Sequence, residues 1–207
     1  MFLSQTFKYN GSAANPMALI TPFEILDVII MSFAIGYIFS GRFQMPVNDD
    51  YDPLVAYQKK FHWNEILYSA AIVAPGIILH EISHKVVAML FGLSATFHAS
   101  YTFLILGIIL RAVNFGFIFF VPAYVSIFGS ATDLQSALIA IAGPLTNLLI
   151  WAVLTLAIKF NMVKKKLMAI FIFGQKVNLF LFIFNIIPIP GFDGFQFFVN
   201  IIRVFTG

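Results

Sequence analysis

The 207-residue chain is 60% hydrophobic and 10% charged, with mean hydropathy +0.93 and a formal net charge of +3. An ordinary soluble domain is about a quarter charged, so this composition excludes one and predicts a multi-pass integral membrane protein. The lack of cysteine excludes disulfides and thiol chemistry, and a small positive charge placed near segment ends fits anchoring in a lipid bilayer, not nucleic-acid binding.

The first residues, MFLSQTFKYNGSAANPM, lack a basic region leading into a long apolar stretch and do not read as a cleaved signal peptide. A spanning helix needs about 20 mostly apolar residues. The first such segment covers 22–40, with Thr21 as N-cap, and is followed by a polar loop over 41–64 rich in turn formers. The second covers 65–92 and ends at Gly92, a C-cap residue. An apolar tract over 101–128 is interrupted by Arg111, Asn114, Gly116 and Pro122, which predicts a membrane hairpin or re-entrant element that returns, not one straight span. Helices over 136–160 and 167–187 follow, separated by Lys164, Lys165 and Lys166, and the tail FFVNIIRVFTG suits a short interfacial helix. The fold class is therefore mostly α: a polytopic membrane helix bundle of about 4–6 spans, a count set by the length that crossing requires.

Within the second span lies HEISH: His80, Glu81, Ile82, Ser83, His84. On a helix, residues four apart share a face, so both imidazoles reach one metal ion. Zinc accepts imidazole nitrogen and, at a catalytic site, keeps one position for water. Glu81, directly after the first ligand, is placed to take a proton from that water and pass it to a leaving amine. An accidental motif would have to bear about 2.5–3.5 kcal/mol for a charge at the centre of a membrane helix. That cost favours the functional reading.

Zinc needs a further protein ligand. No glutamate lies downstream of Glu81, and the longer HExxHxxGxxH form fails because Val87 and Leu90 occupy its glycine and histidine positions. His98, Asp133 and Asp193 remain. Asp193 is favoured by its setting in NIIPIPGFDG, where Pro188 and Pro190 prevent a regular helix and Gly191 and Gly194 flank the acid. Broken backbone at membrane depth is tolerated only against protein or a water-filled cavity, and a carboxylate there can turn toward a neighbouring helix. His98 reads as a loop histidine or a substrate-side contact, and Asp133 as a helix-start acid. If Asp193 meets His80 and His84, the second and last spans run parallel.

Three stretches in this order, HEISH, AGPLTN (142–147) and NIIPIPGFDG (185–194), make the chain resemble the site-2 protease family of intramembrane zinc metalloproteases. The resemblance frames residues 65–200 as a metalloprotease core, with 1–64 as an N-terminal segment, first helix and loop, and 201–207 as a short tail. It implies one zinc ion per chain held by His80, His84 and Asp193, with Glu81 as base and Asn185 hydrogen-bonding near the scissile peptide. It implies that Asn147 braces the site and that short β-strands lie near the 101–128 tract. The expected activity is hydrolysis of peptide bonds in transmembrane segments of protein substrates, by zinc-activated water attacking a locally unwound strand. Phe192 stands where the family usually has leucine. A di-iron oxidase is disfavoured, because two histidines outside the motif are too few. The remaining alternative is a metal-binding membrane protein without protease activity, against which Glu81 argues, since a carrier needs no acid beside its ligand.

Overall fold

A computed structural model describes residues 20–43, 63–115 and 122–206. Most of the polar loop and the tip of the 101–128 tract fall outside the described residues. Helix α1 (Pro22–Phe39) opens with a capping box. Thr21 Oγ1 accepts the Glu24 N–H at 3.3 Å, the Glu24 carboxylate accepts the Thr21 N–H at 2.7 Å, and Pro22 supplies a preset first turn.

Helix α2 (Trp63–Leu90) carries HEISH and stops as expected at Gly92. There φ is +76°, and the Leu93 N–H closes on the Ala88 carbonyl at 3.1 Å. That left-handed residue turns the chain into β1 (Ser94–Ala99), which pairs antiparallel with β2 (Ala123–Phe128), Ser94 facing Phe128 and Ala99 facing Ala123.

Between the strands runs α3 (Tyr101–Ala112), 12 residues long. At about 1.5 Å per residue this is roughly 18 Å, too short for a bilayer core of about 30 Å. Its far end is tied to α1 by Arg111, which donates to the Ser40 carbonyl at 2.9 Å. Its base is closed by the Ser100 N–H on the Pro122 carbonyl at 2.9 Å. The tract thus leaves and returns to the same end of α2, as its interrupted hydropathy predicts; it ends in β2, and β1 directly precedes it.

Helix α4 (Asp133–Lys159) begins with a second capping box, Thr132 with Gln135, and Asp133 is its first residue, matching the helix-start reading. A short 3-10 turn (Lys165–Leu167) leads into α5 (Met168–Ile186). The chain then breaks over 187–192 and resumes as α6 (Asp193–Thr206). The tail helix therefore starts earlier than its apolar residues suggest, at Asp193 itself.

Among the described residues four segments are long and apolar enough to cross a membrane: Pro22–Phe39, Trp63–Leu90, Asp133–Lys159 and Lys165–Ile186. Their outer sides expose Phe23, Phe33, Leu149 and Phe180, an apolar surface that fits an integral membrane protein. Inside, Met31 and Ile35 of α1, Ile72, Val73 and Ile77 of α2, Phe97 of β1 and Leu104 of α3 form one core. Helix α2 packs against α1, α4, α5 and both strands, so its motif lies at the centre of the bundle. Asn178 of α5 sits at the level of Gly76, and Asp193, beyond the end of α5, sits at the level of His80. The second and last spans therefore run parallel.

Candidate metal centre

His80 and His84 project from one face of α2, both buried, with Nε2 atoms 3.1 Å apart. Asp193 completes a triangle across 113 residues of chain: its Oδ2 lies 3.0 Å from His80 Nε2 and 3.4 Å from His84 Nε2. Among the described residues these three form the only group of histidines and acids close enough to share a metal ion. His98, the rival histidine, lies on β1 and faces Asp27 Oδ2 at 3.9 Å and the Tyr124 ring, and Asp133 starts α4.

The break before Asp193 follows from its residues. Ile187 precedes Pro188 and takes an extended conformation (ψ 132°), which ends α5. Gly191 adopts φ +104°, a left-handed value that a side chain would resist. The chain turns there, and α6 begins with the carboxylate directed back at α2.

The hydrogen bonds behind the rings determine what they offer in front. His84 Nδ1 lies 2.7 Å from the Ile139 carbonyl, which can only accept, so Nδ1–H donates and in the neutral ring Nε2 keeps its lone pair. His80 Nδ1 lies 2.5 Å from Asn147 Oδ1. The Asn147 amide nitrogen donates to the Gly76 carbonyl at 3.1 Å and to Asn178 Oδ1 at 2.9 Å, which orients its oxygen at His80. Asn178 in turn donates to the Gly174 carbonyl at 2.8 Å. His80 therefore also presents an unprotonated Nε2.

Two nitrogen lone pairs and an anionic oxygen thus converge within 3.0–3.4 Å with no donor between them. A proton can bridge one edge of this triangle; a divalent cation satisfies all three corners. Ligands about 2.05 Å from a tetrahedral ion stand about 3.3 Å apart, so the donor set fits zinc in type and in size. Gly143 of α4 closes one side. A Cβ there would meet His84 Nε2 at 2.3 Å and His80 Nε2 at 2.6 Å, so only glycine lets α4 approach this closely.

Glu81 follows His80 by one residue, about 100° around the helix, and is half-buried. Its carboxylate makes no hydrogen bond to a described residue, which leaves it available to a proton. Asn185, near the end of α5, is half-buried and also makes no side-chain hydrogen bond among the described residues. Asn178 is a site residue that sequence reasoning missed. Its signal is an amide in the otherwise apolar run VNLFLFIF, since polar side chains are costly in such helices.

No family model matches the chain, and no solved structure matches it. A protein of Methanocaldococcus jannaschii, named "Putative zinc metalloprotease MJ0611", is 37% identical over 172 residues, covering 83% of this chain and 81% of the relative. With that likeness over most of both chains, and a buried donor set suited to zinc, the chain belongs to the zinc metalloprotease family of this archaeal relative.

Proposed function

We propose that the protein is an intramembrane zinc endopeptidase of the site-2 type, an integral multi-pass protein that cuts transmembrane segments of other membrane proteins. The observation that carries this reading is the convergence of Asp193, at the start of α6, on His80 and His84 of a helix long and apolar enough to span, with Glu81 beside them. His80, His84 and Asp193 would hold one zinc ion per chain, which when bound acidifies water and polarises a carbonyl.

The chain's own residues supply the rest. Asn147 and the Ile139 carbonyl keep both imidazoles in the ligating tautomer. Glu81 takes the proton released as water adds to the peptide carbonyl and delivers it to the departing amine as the C–N bond breaks. A helical substrate hides its peptide groups in internal hydrogen bonds and must unwind before attack. The β1–β2 hairpin, packed beside α2, supplies backbone to receive such an extended segment by strand addition. Asn185, on the last turn before the break, is assigned to hold that strand or the oxyanion.

The test uses purified protein in proteoliposomes with a membrane-spanning substrate and bound-metal analysis. Wild type should carry one zinc and cleave, whereas Glu81→Gln should keep the zinc and lose cleavage. Zinc bound with no cleavage by wild type would favour a metal-binding protein without protease activity. Equal cleavage by the variant would remove Glu81 from the mechanism.

A further inference from the structure

Two acids on α1 do something the metal centre does not require. The Glu24 carboxylate is buried and accepts three donors: the Phe97 N–H of β1 at 2.6 Å, the Lys85 ammonium at 2.5 Å and the Thr21 N–H at 2.7 Å. Asp27, one turn later, accepts the Ala99 N–H at 3.1 Å and the Tyr101 hydroxyl. Phe97 and Ala99 are alternate residues of one strand, so their N–H groups leave on the same edge. That edge faces α1, away from β2. It is the row of donors through which β1 would accept another strand, and two carboxylates occupy it. Lys85 is the neighbour of His84, so the Glu24 contact also ties the strand to the helix that bears the metal ligands.

We infer that Glu24 and Asp27 are positioning residues that close the outer edge of β1 and pin the hairpin against α2, so that an extended peptide adds through β2. This rests on the reading of the protein as a peptidase that takes an unwound strand. Among the described residues β2 pairs with β1 alone. Beside its other edge Tyr124 and Phe128 are exposed on one face and Ile127 on the opposite face, apolar side chains suited to a strand drawn from a membrane helix. With β1 clamped, the register of a strand on β2 is fixed relative to His80 and His84, and that register selects which bond is cut. An uncharged apolar contact would hold the hairpin without blocking the edge; carboxylates accept the very donors a peptide would use.

The experiment compares zinc-loaded wild type with Glu24→Gln, Glu24→Asp and Asp27→Asn in proteoliposomes, reading zinc content, amide exchange at Phe97 and Ala99, and the masses of products from a spanning peptide. Asp27→Asn leaves the Lys85 contact intact and guards against simple misfolding of the Glu24 variants. We expect zinc to stay at one per chain. In Glu24→Gln and Asp27→Asn a neutral amide oxygen replaces the charged acceptor, and the weaker hydrogen bond should speed exchange of the matching amide about five- to tenfold. KM should rise more than kcat falls, cleavage should spread to neighbouring bonds, and Glu24→Asp should recover part of the single-bond pattern. Unchanged exchange, or faster exchange with the same bond cut at the same KM, would overturn the inference while leaving the protease reading intact. A wild type that cuts no peptide would instead overturn that reading, and this inference with it.

Discussion

Asn147 Oδ1 stands 2.5 Å from His80 Nδ1, and through that contact an uncharged amide on α4 decides which nitrogen of a ring on α2 faces Asp193. The same amide is held by Gly76 of α2 and Asn178 of α5, so three helices meet at one side chain that is fully buried. A polar group placed there without partners would be costly; with all of them satisfied it orients the site.

Replacing Asn147 with leucine should therefore weaken zinc binding about 10–100-fold, the usual effect of losing a partner behind a ligating histidine. Asn178→Leu should weaken it less, because Asn178 acts through Asn147. Competition against a chelator of known affinity measures both, and an Asn147→Leu protein that holds zinc as tightly as wild type would refute the orienting role.

Gly143→Ala should disturb the centre directly, since the new methyl would lie 2.3 Å from His84 Nε2. We expect lowered zinc content and a stability loss of about 1–3 kcal/mol from overpacking. Leu145→Ala, two residues on and half exposed, is the control and should leave zinc content unchanged. Thermal unfolding in detergent, followed with metal analysis, separates the two.

Removing the metal should destabilise the fold. An ion present at 100 times its dissociation constant stabilises the native state by about 2.7 kcal/mol. A strong chelator should lower the wild-type Tm, and the shift should vanish in Asp193→Asn and His84→Ala, which lose a ligand each. A chelator shift of equal size in those variants would place the ion elsewhere.

The buried Lys85–Glu24 pair predicts a coupled effect. Lys85→Met leaves a carboxylate buried beside an empty partner and should cost about 3–5 kcal/mol. Adding Glu24→Leu should recover part of that loss, because the double variant strands no charge. Unfolding of the four members of the cycle in detergent gives the coupling; strictly additive losses would mean that the two groups do not interact.

Much of this arrangement was legible along the chain. HEISH declares its face by helical spacing alone, because His80 and His84 are one turn apart whatever surrounds them. Thr21, Gly92 and the prolines at 188 and 190 mark element ends through local backbone preferences. The polar interruptions at Arg111 and Asn114 foretell that the 101–128 tract turns back. Asp193 could be favoured as the candidate third ligand from the broken backbone around it, and the resemblance carried by AGPLTN pointed to Asn147 as a brace. The pairing of Glu24 with Lys85 and Phe97, and the role of Asn178, could not be read in this way.

What the sequence determined by itself, then, is the long apolar helices, most of their ends and the pair of imidazoles on one helix, since each depends on residues a few positions apart. Only the tertiary structure decided which distant groups face those rings: Asp193 across 113 residues, Asn147 across 67, Ile139 across 55. The physical reason is that a hydrogen bond or a coordination sphere selects for position in space, and packing of the whole bundle, not local spacing, brings those atoms within 3.4 Å of one another.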